Sequence, residues 1–207
     1  MEIHSYFSTN YLQNTYIINK KDRQETIILD PFEIEAPLFE LLENLELEVT
    51  SVLLTHVDKQ KWSSVQSLKR IYGTIEVYGG IDDDRKHDLV SVKELDFFET
   101  CGISVQPIFI PGHHSDSLMF RMDQFLFSGS LIGAGLIDKA DESFGRALLI
   151  QCLQETFEEL PKQTILFPSS GPPSSVGAEL KTNYSFRHQE RLTARISAKL
   201  FSEEISR

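Results

Sequence analysis

The chain has few cysteines, no long apolar run and a shortage of basic residues. Only two cysteines, Cys101 and Cys152, occur among its 207 residues. Two distant cysteines provide neither a disulfide framework nor a Cys-x-x-Cys metal site, so we expect free thiols in a reducing compartment. No apolar run is long enough to cross a bilayer, and the first residues lack the basic and apolar regions of a secretory signal. These absences predict a cytoplasmic protein with no membrane partner.

Acidic residues outnumber basic residues by 31 to 20, and the formal net charge is −11. Nucleic-acid partners normally require a basic face, so this balance predicts a protein that does not bind nucleic acid. The composition, 41% hydrophobic and 25% charged, is typical of a globular protein, and we expect residues 1–207 to form a single domain. A core of this size needs no metal for stability, so a metal site would serve function.

The hydrophobic pattern predicts strands in two batches, each followed by helices. The predicted strands are residues 14–18, 26–29, 51–54, 75–78, 103–110, 118–122, 125–127 and 164–167. The predicted helices are residues 36–45, 62–72, 146–160 and a tail from about 187 to 201. Such an order favours two sheets whose outer faces are covered by helices.

Two of the predicted strands end in polar residues that are suited to bind a metal ion. His56 and Asp58 follow the strand at residues 51–54, and His113 and His114 follow the strand at 103–110. Strand ends present side chains on a rigid base, so these groups could converge. Two imidazoles and one carboxylate suit zinc, iron or manganese.

Six stretches of the sequence resemble, in the same order, motifs of the metallo-β-lactamase superfamily, and in particular of its short glyoxalase-II-like hydrolases. They are Asn-Thr-Tyr-Ile-Ile at 14–18, Ile-Ile-Leu-Asp-Pro at 27–31, Val-Leu-Leu-Thr-His at 52–56, Pro-Gly-His-His-Ser-Asp-Ser at 111–117, Leu-Phe-Ser-Gly-Ser at 126–130, and the segment 167–183. Phe32 stands where a glycine usually follows the Asp-Pro pair. The resemblance implies an α/β (α+β) fold, the four-layer αββα sandwich.

The resemblance also implies a ligand set for each of the two metals of the family. It places one metal on His56, Asp58 and His113. The positions of the second metal, where the family has aspartates and histidines, hold four poor ligands: Gln60, Lys61, Ser130 and Ser170. We therefore predict a degenerate site with one zinc or iron ion or none, in which the Lys61 ammonium replaces the charge of the second metal and pairs with Asp58.

Three hypotheses for the function follow from this site. The first is a non-catalytic or regulatory protein that keeps the cleft for a small-molecule or protein partner, whose identity the sequence does not reveal. The second is a mononuclear hydrolase of thioesters or esters, and the third is an iron-binding sensor or redox protein. A mononuclear hydrolase would need a general base, for which His114 and Asp116 are the candidates. Asp116 and Ser117 fit better as tight-turn residues that bond the backbone.

Overall fold

A computed structural model describes residues 1–80, 88–138 and 143–187. The strands in these ranges are β1 (Glu2–Ser8), β2 (Gln13–Asn19), β3 (Glu25–Leu29), β4 (Glu48–Leu53), β5 (Glu76–Gly79), β6 (Val90–Ser91), β7 (Phe98–Thr100), β8 (Ile103–Phe109), β9 (Leu118–Met122), β10 (Phe125–Gly129), β11 (Ile132–Gly133), β12 (Leu136–Ile137), β13 (Ile165–Pro168) and β14 (Ser174–Ser175). The helices are α1 (Ala36–Asn44), α2 (Lys59–Tyr72), α3 (Ser143–Glu159) and α4 (Val176–Thr182).

Two six-stranded sheets form the centre of the molecule. The first has the order β1-β2-β3-β4-β5-β6, in which β1 to β3 pair antiparallel and β3 to β6 pair parallel. The second has the order β14-β13-β10-β9-β8-β7, in which only the β10–β13 pair is parallel. A short β11–β12 hairpin lies beside the second sheet. The parallel strands β3 and β4 end at the same edge, and the residues that follow them are therefore neighbours.

Alternate side chains of the strands enter different hydrophobic layers, as the two-residue period of a strand requires. Tyr16 and Ile18 of β2 face the second sheet, where they meet Phe120 and Phe127. Ile17, between them, faces outward into the layer beneath α1 and α2. On the far side, the outer face of the second sheet is buried beneath α3 and α4. Three hydrophobic layers thus separate four layers of secondary structure: α1 with α2, the first sheet, the second sheet, and α3 with α4. This arrangement confirms the predicted αββα sandwich.

The structure places most of the predicted elements correctly and changes some boundaries. Helix α2 begins at Lys59, three residues before the predicted start, because the Asp58 carboxylate accepts the Lys61 backbone N–H at 2.8 Å and caps the helix. The prediction missed β1, an edge strand whose side chains are mostly not buried, and α4. It also missed the short strands β6, β7, β11, β12 and β14. The predicted helical tail from about 187 to 201 lies outside the described residues, and a single domain over 1–207 stays a prediction.

Candidate functional site

His56, Asp58 and His113 meet at one edge of the sandwich, as the sequence predicts. His56 and Asp58 follow β4, and the His56 Nε2 atom lies 3.3 Å from Asp58 Oδ2. His113 follows β8, and its ring centroid lies 6.3 Å from that of His56. The two strand ends are joined directly, since the Thr55 carbonyl accepts the backbone N–H of Leu118 at 2.7 Å. The inter-sheet pairing therefore holds the two imidazoles in one cleft.

A second carboxylate at the site, Asp138, was missed at the level of sequence. The His113 Nε2 atom lies 3.3 Å from Asp138 Oδ2, and the His113 side chain is 7% exposed. Its other ring nitrogen, Nδ1, is 3.4 Å from the Ser117 hydroxyl. Asp138 follows the short strand β12 and belongs to no recognisable motif, so only the fold brings it to His113. Each of the two histidines thus has its own aspartate partner.

His114 stacks between the other two imidazoles and is a better candidate base than Asp116. Its ring lies 4.9 Å from that of His56 at an interplanar angle of 21°, and 4.1 Å from that of His113 in an edge arrangement. Burial lowers the pKa of His114, and the neighbouring His113 and His56 lower it further, which favours the neutral ring that a general base requires. The Asp116 carboxylate, in contrast, is buried and accepts the backbone N–H of Val57, in the loop after β4, at 2.6 Å. Within the turn itself, the Ser117 hydroxyl accepts the backbone N–H of His114 at 3.0 Å.

Lys61, in the first turn of α2, is one half of a buried ion pair. Its Nζ atom is 2.9 Å from Asp30 Oδ1, and both side chains are 0% exposed. The predicted pairing of the Lys61 ammonium with Asp58 is wrong. Lys61 gives Asp58 its backbone N–H, and its ammonium pairs with Asp30. The reason is the geometry of α2: Asp58 caps the helix, while the Lys61 side chain one turn later points down to Asp30.

Asp30 is bound from several sides, which explains how a carboxylate is tolerated at this depth. Its Oδ1 atom accepts the Thr55 backbone N–H at 3.0 Å, and its Oδ2 atom accepts the Thr55 hydroxyl at 2.6 Å. The Ser169 hydroxyl approaches the same Oδ2 atom at 3.4 Å. A buried charge persists only when it is paired and hydrogen-bonded in this way. The network connects the end of β3, the end of β4 and the loop after β13.

The other three positions implied for the second metal carry neutral side chains. The Gln60 amide donates to the Phe32 carbonyl at 3.1 Å. Ser130 and Ser170 line a cavity of about 640 Å³ together with Gln13 and Asp138, and the rest of its lining is Gly133, Ala134, Leu136, Ile137, Gly171 and Pro172. Hydroxyls, an amide and apolar groups therefore make up most of the region around Ser130 and Ser170, where Asp138 contributes a carboxylate.

Comparisons with known proteins agree on the architecture. No protein-family model matches the chain. A hydroxyacylglutathione hydrolase of Haemophilus ducreyi is 26% identical over 162 residues, which are 76% of this chain and 66% of that protein. The solved structure of ETHE1 from Myxococcus xanthus has a TM-score of 0.78, with 20% identity over 91% of this chain and 89% of that chain. A protein solved in a di-iron-bound form, TTHA1623, has a TM-score of 0.73, with 20% identity over 87% and 98%.

This chain has the metallo-β-lactamase fold. The resemblance to the metallo-β-lactamase superfamily and to its glyoxalase-II-like hydrolases is thereby confirmed. The chain spans between about half and two-thirds of the length of the curated relatives it matches, at 54% and 66% for two of them. Similarity at this level establishes the architecture, and the chemistry has to be judged from the site itself.

The donor set of this metallo-β-lactamase-fold protein does not fit two metal ions. The second position contains a buried ammonium, which repels a cation and offers no lone pair. At the first position, His56 Nδ1 lies 3.1 Å from that same ammonium, and Nε2 faces Asp58. Within residues 1–80, 88–138 and 143–187, no three His, Cys, Asp or Glu side chains are arranged to hold a metal ion. His56, Asp58 and His113 as a ligand set therefore stay a prediction.

Asp58 gives the site a distinct dependence on acid. Burial alone would raise the pKa of its carboxyl, but the hydrogen bond from His56, the backbone N–H of Lys61 and the Lys61 charge outweigh burial and lower the pKa from 3.8 to about 2. A carboxyl with a lowered folded-state pKa stabilises the fold above its unfolded-state pKa, and this stability is lost as the pH falls through the folded-state value.

We expect Asp58→Asn to flatten the acid limb of the stability curve. Between pH 4 and about pH 2 the wild-type protein should lose more unfolding free energy than the variant, because only the wild type must protonate Asp58. Asparagine caps helices as well as aspartate, so α2 should be preserved. Urea unfolding at a series of pH values measures the difference. Parallel curves for the two proteins would show that Asp58 has no lowered pKa.

Proposed function

We propose that this metallo-β-lactamase-fold protein does not use the family's two-metal hydrolysis and is a non-catalytic or regulatory protein that binds a partner in its cleft. The observation that supports this proposal is the buried Lys61 ammonium, which lies 2.9 Å from Asp30 at a position implied for a metal ligand. A two-metal hydrolase activates a bridging water by the charge of its metals. A fixed ammonium supplies a charge but cannot bind and deprotonate such a water.

The cleft beside the histidines has the size of a small-molecule site. Its volume is about 640 Å³, within the usual range for ligand pockets. The lining combines the Ser130 and Ser170 hydroxyls and the Gln13 amide with an apolar side formed by Leu136 and Ile137. Among the described residues, no lysine or arginine lines this pocket, and Asp138 contributes a carboxylate. The pocket is therefore suited to a neutral or cationic, partly apolar ligand.

A mononuclear hydrolase of thioesters or esters is the second candidate, and the meeting of His56, Asp58 and His113 at one edge of the sandwich favours it. An iron-binding sensor would use the same three residues, because two imidazoles and a carboxylate also suit iron. Both candidates require His56 to bind a metal through a ring nitrogen. Both ring nitrogens of His56 already face other groups, Lys61 and Asp58, and this supports the non-catalytic proposal.

Metal content and thioester turnover test these candidates together. Protein purified without chelator is expected to contain neither zinc nor iron near one equivalent by plasma mass spectrometry. It is also expected to hydrolyse a hydroxyacylglutathione thioester no faster than His113→Ala protein, with or without added Zn²⁺, Fe²⁺ or Mn²⁺. The His113 variant controls for contaminating hydrolases. One metal per chain together with turnover that requires His113 would instead support the mononuclear hydrolase.

We also propose that the protein is cytoplasmic. Cys101 and Cys152 are free and only partly buried, and free thiols are typical of reducing compartments. Over the ranges described, no helix is both long enough and apolar enough to span a membrane.

A further inference from the structure

The Lys61 ammonium has three N–H donors, and the structure provides three acceptors for them. Nζ lies 2.9 Å from Asp30 Oδ1, 3.3 Å from the Thr55 hydroxyl oxygen and 3.1 Å from His56 Nδ1. The Thr55 hydroxyl gives its own hydrogen to Asp30 Oδ2, so its oxygen is available as an acceptor. An ammonium has no lone pair and can only donate. Each of the three contacts therefore has a defined direction.

This direction determines where His56 carries its proton. Because the ammonium donates to Nδ1, that nitrogen must be unprotonated, and the proton of the neutral imidazole is on Nε2. The Nε2 atom lies 3.3 Å from Asp58 Oδ2, where an N–H group has a carboxylate to donate to. Both contacts select the same tautomer, and the other tautomer would point an N–H group at the ammonium.

We propose that Lys61 is the resident cation of this site, and that it holds His56 in the Nε2–H tautomer and so prevents His56 from binding a metal ion. A metal on Nε2 would displace the ring proton to Nδ1, where it would face the ammonium. A metal on Nδ1 would have to occupy the place of the ammonium itself. The inference rests on the proposed loss of two-metal chemistry and names the residue that enforces this loss.

Phe32 supports the cation from the other side. Its ring centroid lies 5.2 Å from Lys61 Nζ, a distance at which a ring face attracts a cation. Phe32 stands where the family resemblance implies a glycine, and Lys61 where it implies a histidine. The two departures from the family pattern are therefore in contact, and together they fill the space beneath His56 with an ammonium and a ring.

The tautomer of His56 can be measured directly in the metal-free protein. With ¹⁵N-labelled histidine, long-range ¹H–¹⁵N correlation spectra are expected to show His56 with an unprotonated Nδ1 and a protonated Nε2, and His56→Asn assigns the signals. A protonated Nδ1 would overturn the inference. This readout does not depend on turnover: a thioesterase whose His56 is the Nε2–H tautomer would refute only the proposed function.

Removal of the cation should restore metal binding. The double variant Asp30→Asn with Lys61→Met removes both charges of the buried pair, and we expect it to bind Zn²⁺ through His56 about tenfold or more tightly than wild type. Lys69→Met removes a partly exposed lysine, paired with Asp88, from the same helix and should leave both the Zn²⁺ titration and the His56 signals unchanged. Zn²⁺ coordination by His56 in the wild-type protein would overturn the inference. If the double variant does not fold, the ¹⁵N spectrum of His56 in the wild-type protein still tests the inference.

Discussion

Replacing Asp30 by asparagine is expected to lower the free energy of unfolding by about 3–5 kcal/mol, because it leaves the Lys61 ammonium buried without a counter-charge. Both side chains are 0% exposed, so no solvent reaches the orphaned charge. Asparagine keeps the shape of the side chain and one acceptor oxygen for the Thr55 backbone N–H. The decrease in the free energy of unfolding therefore measures the effect of the lost charge and not a change in packing. Urea or guanidinium unfolding at neutral pH measures it.

The matched control is an ion pair on the surface. Arg23 and Glu25 lie 3.2 Å apart, and their side chains are 50% and 54% exposed. Glu25→Gln should cost less than about 1 kcal/mol, since solvent screens an exposed pair. The double variant of Asp30→Asn with Lys61→Met should lose less than the sum of the two single variants, because neither charge is then left alone. Equal effects for Asp30→Asn and Glu25→Gln would contradict a buried ion pair at the site.

The fold could be predicted from sequence because its signals are local and repeat along the chain. The β-rich run at 14–18 and the continuous apolar run at 51–54 identify their strands without any knowledge of their partners. The edge strand β1 has no such signal, since its outer position leaves most of its side chains without a core to enter. The hydrophobic pattern does not reveal the start of α2, because its first residues, Lys59 to Lys61, add no apolar side chain to the helical stripe.

The residues that form the site could be predicted in part, but the contacts between their side chains could not. His56, Asp58 and His113 were found because each follows a strand, and strand ends at one edge lie close together. The pairing of Lys61 with Asp30 joins residues 31 positions apart through the direction of one side chain, which no spacing reveals. Asp138 reaches His113 through the β11–β12 hairpin, which carries no recognisable motif.

Gly129 is expected to be as sensitive as the ion pair itself, because it lies against Thr55. A Cβ atom at position 129 would lie 2.7 Å from Thr55 Cβ and 3.0 Å from Thr55 Cγ2, and the residue has a φ of 58°. Positive φ costs an L-residue about 1–2 kcal/mol. Overpacking a closed site typically adds a further cost of about 1–3 kcal/mol. Gly129→Ala should therefore lower the free energy of unfolding by about 2–5 kcal/mol, as measured by urea unfolding.

Gly135→Ala isolates the steric part of this effect. Gly135 also has a positive φ, 80°, but a Cβ atom there would meet no atom within 4 Å. The alanine variant at 135 should therefore show only the conformational cost of about 1–2 kcal/mol. In the variant at 129, displacement of Thr55 should also disturb the Lys61 contacts and change the His56 ring-nitrogen signals, whereas the variant at 135 should leave them unchanged. Equal losses for the two variants, with unchanged His56 signals in both, would show that Thr55 is not held between Gly129 and Asp30.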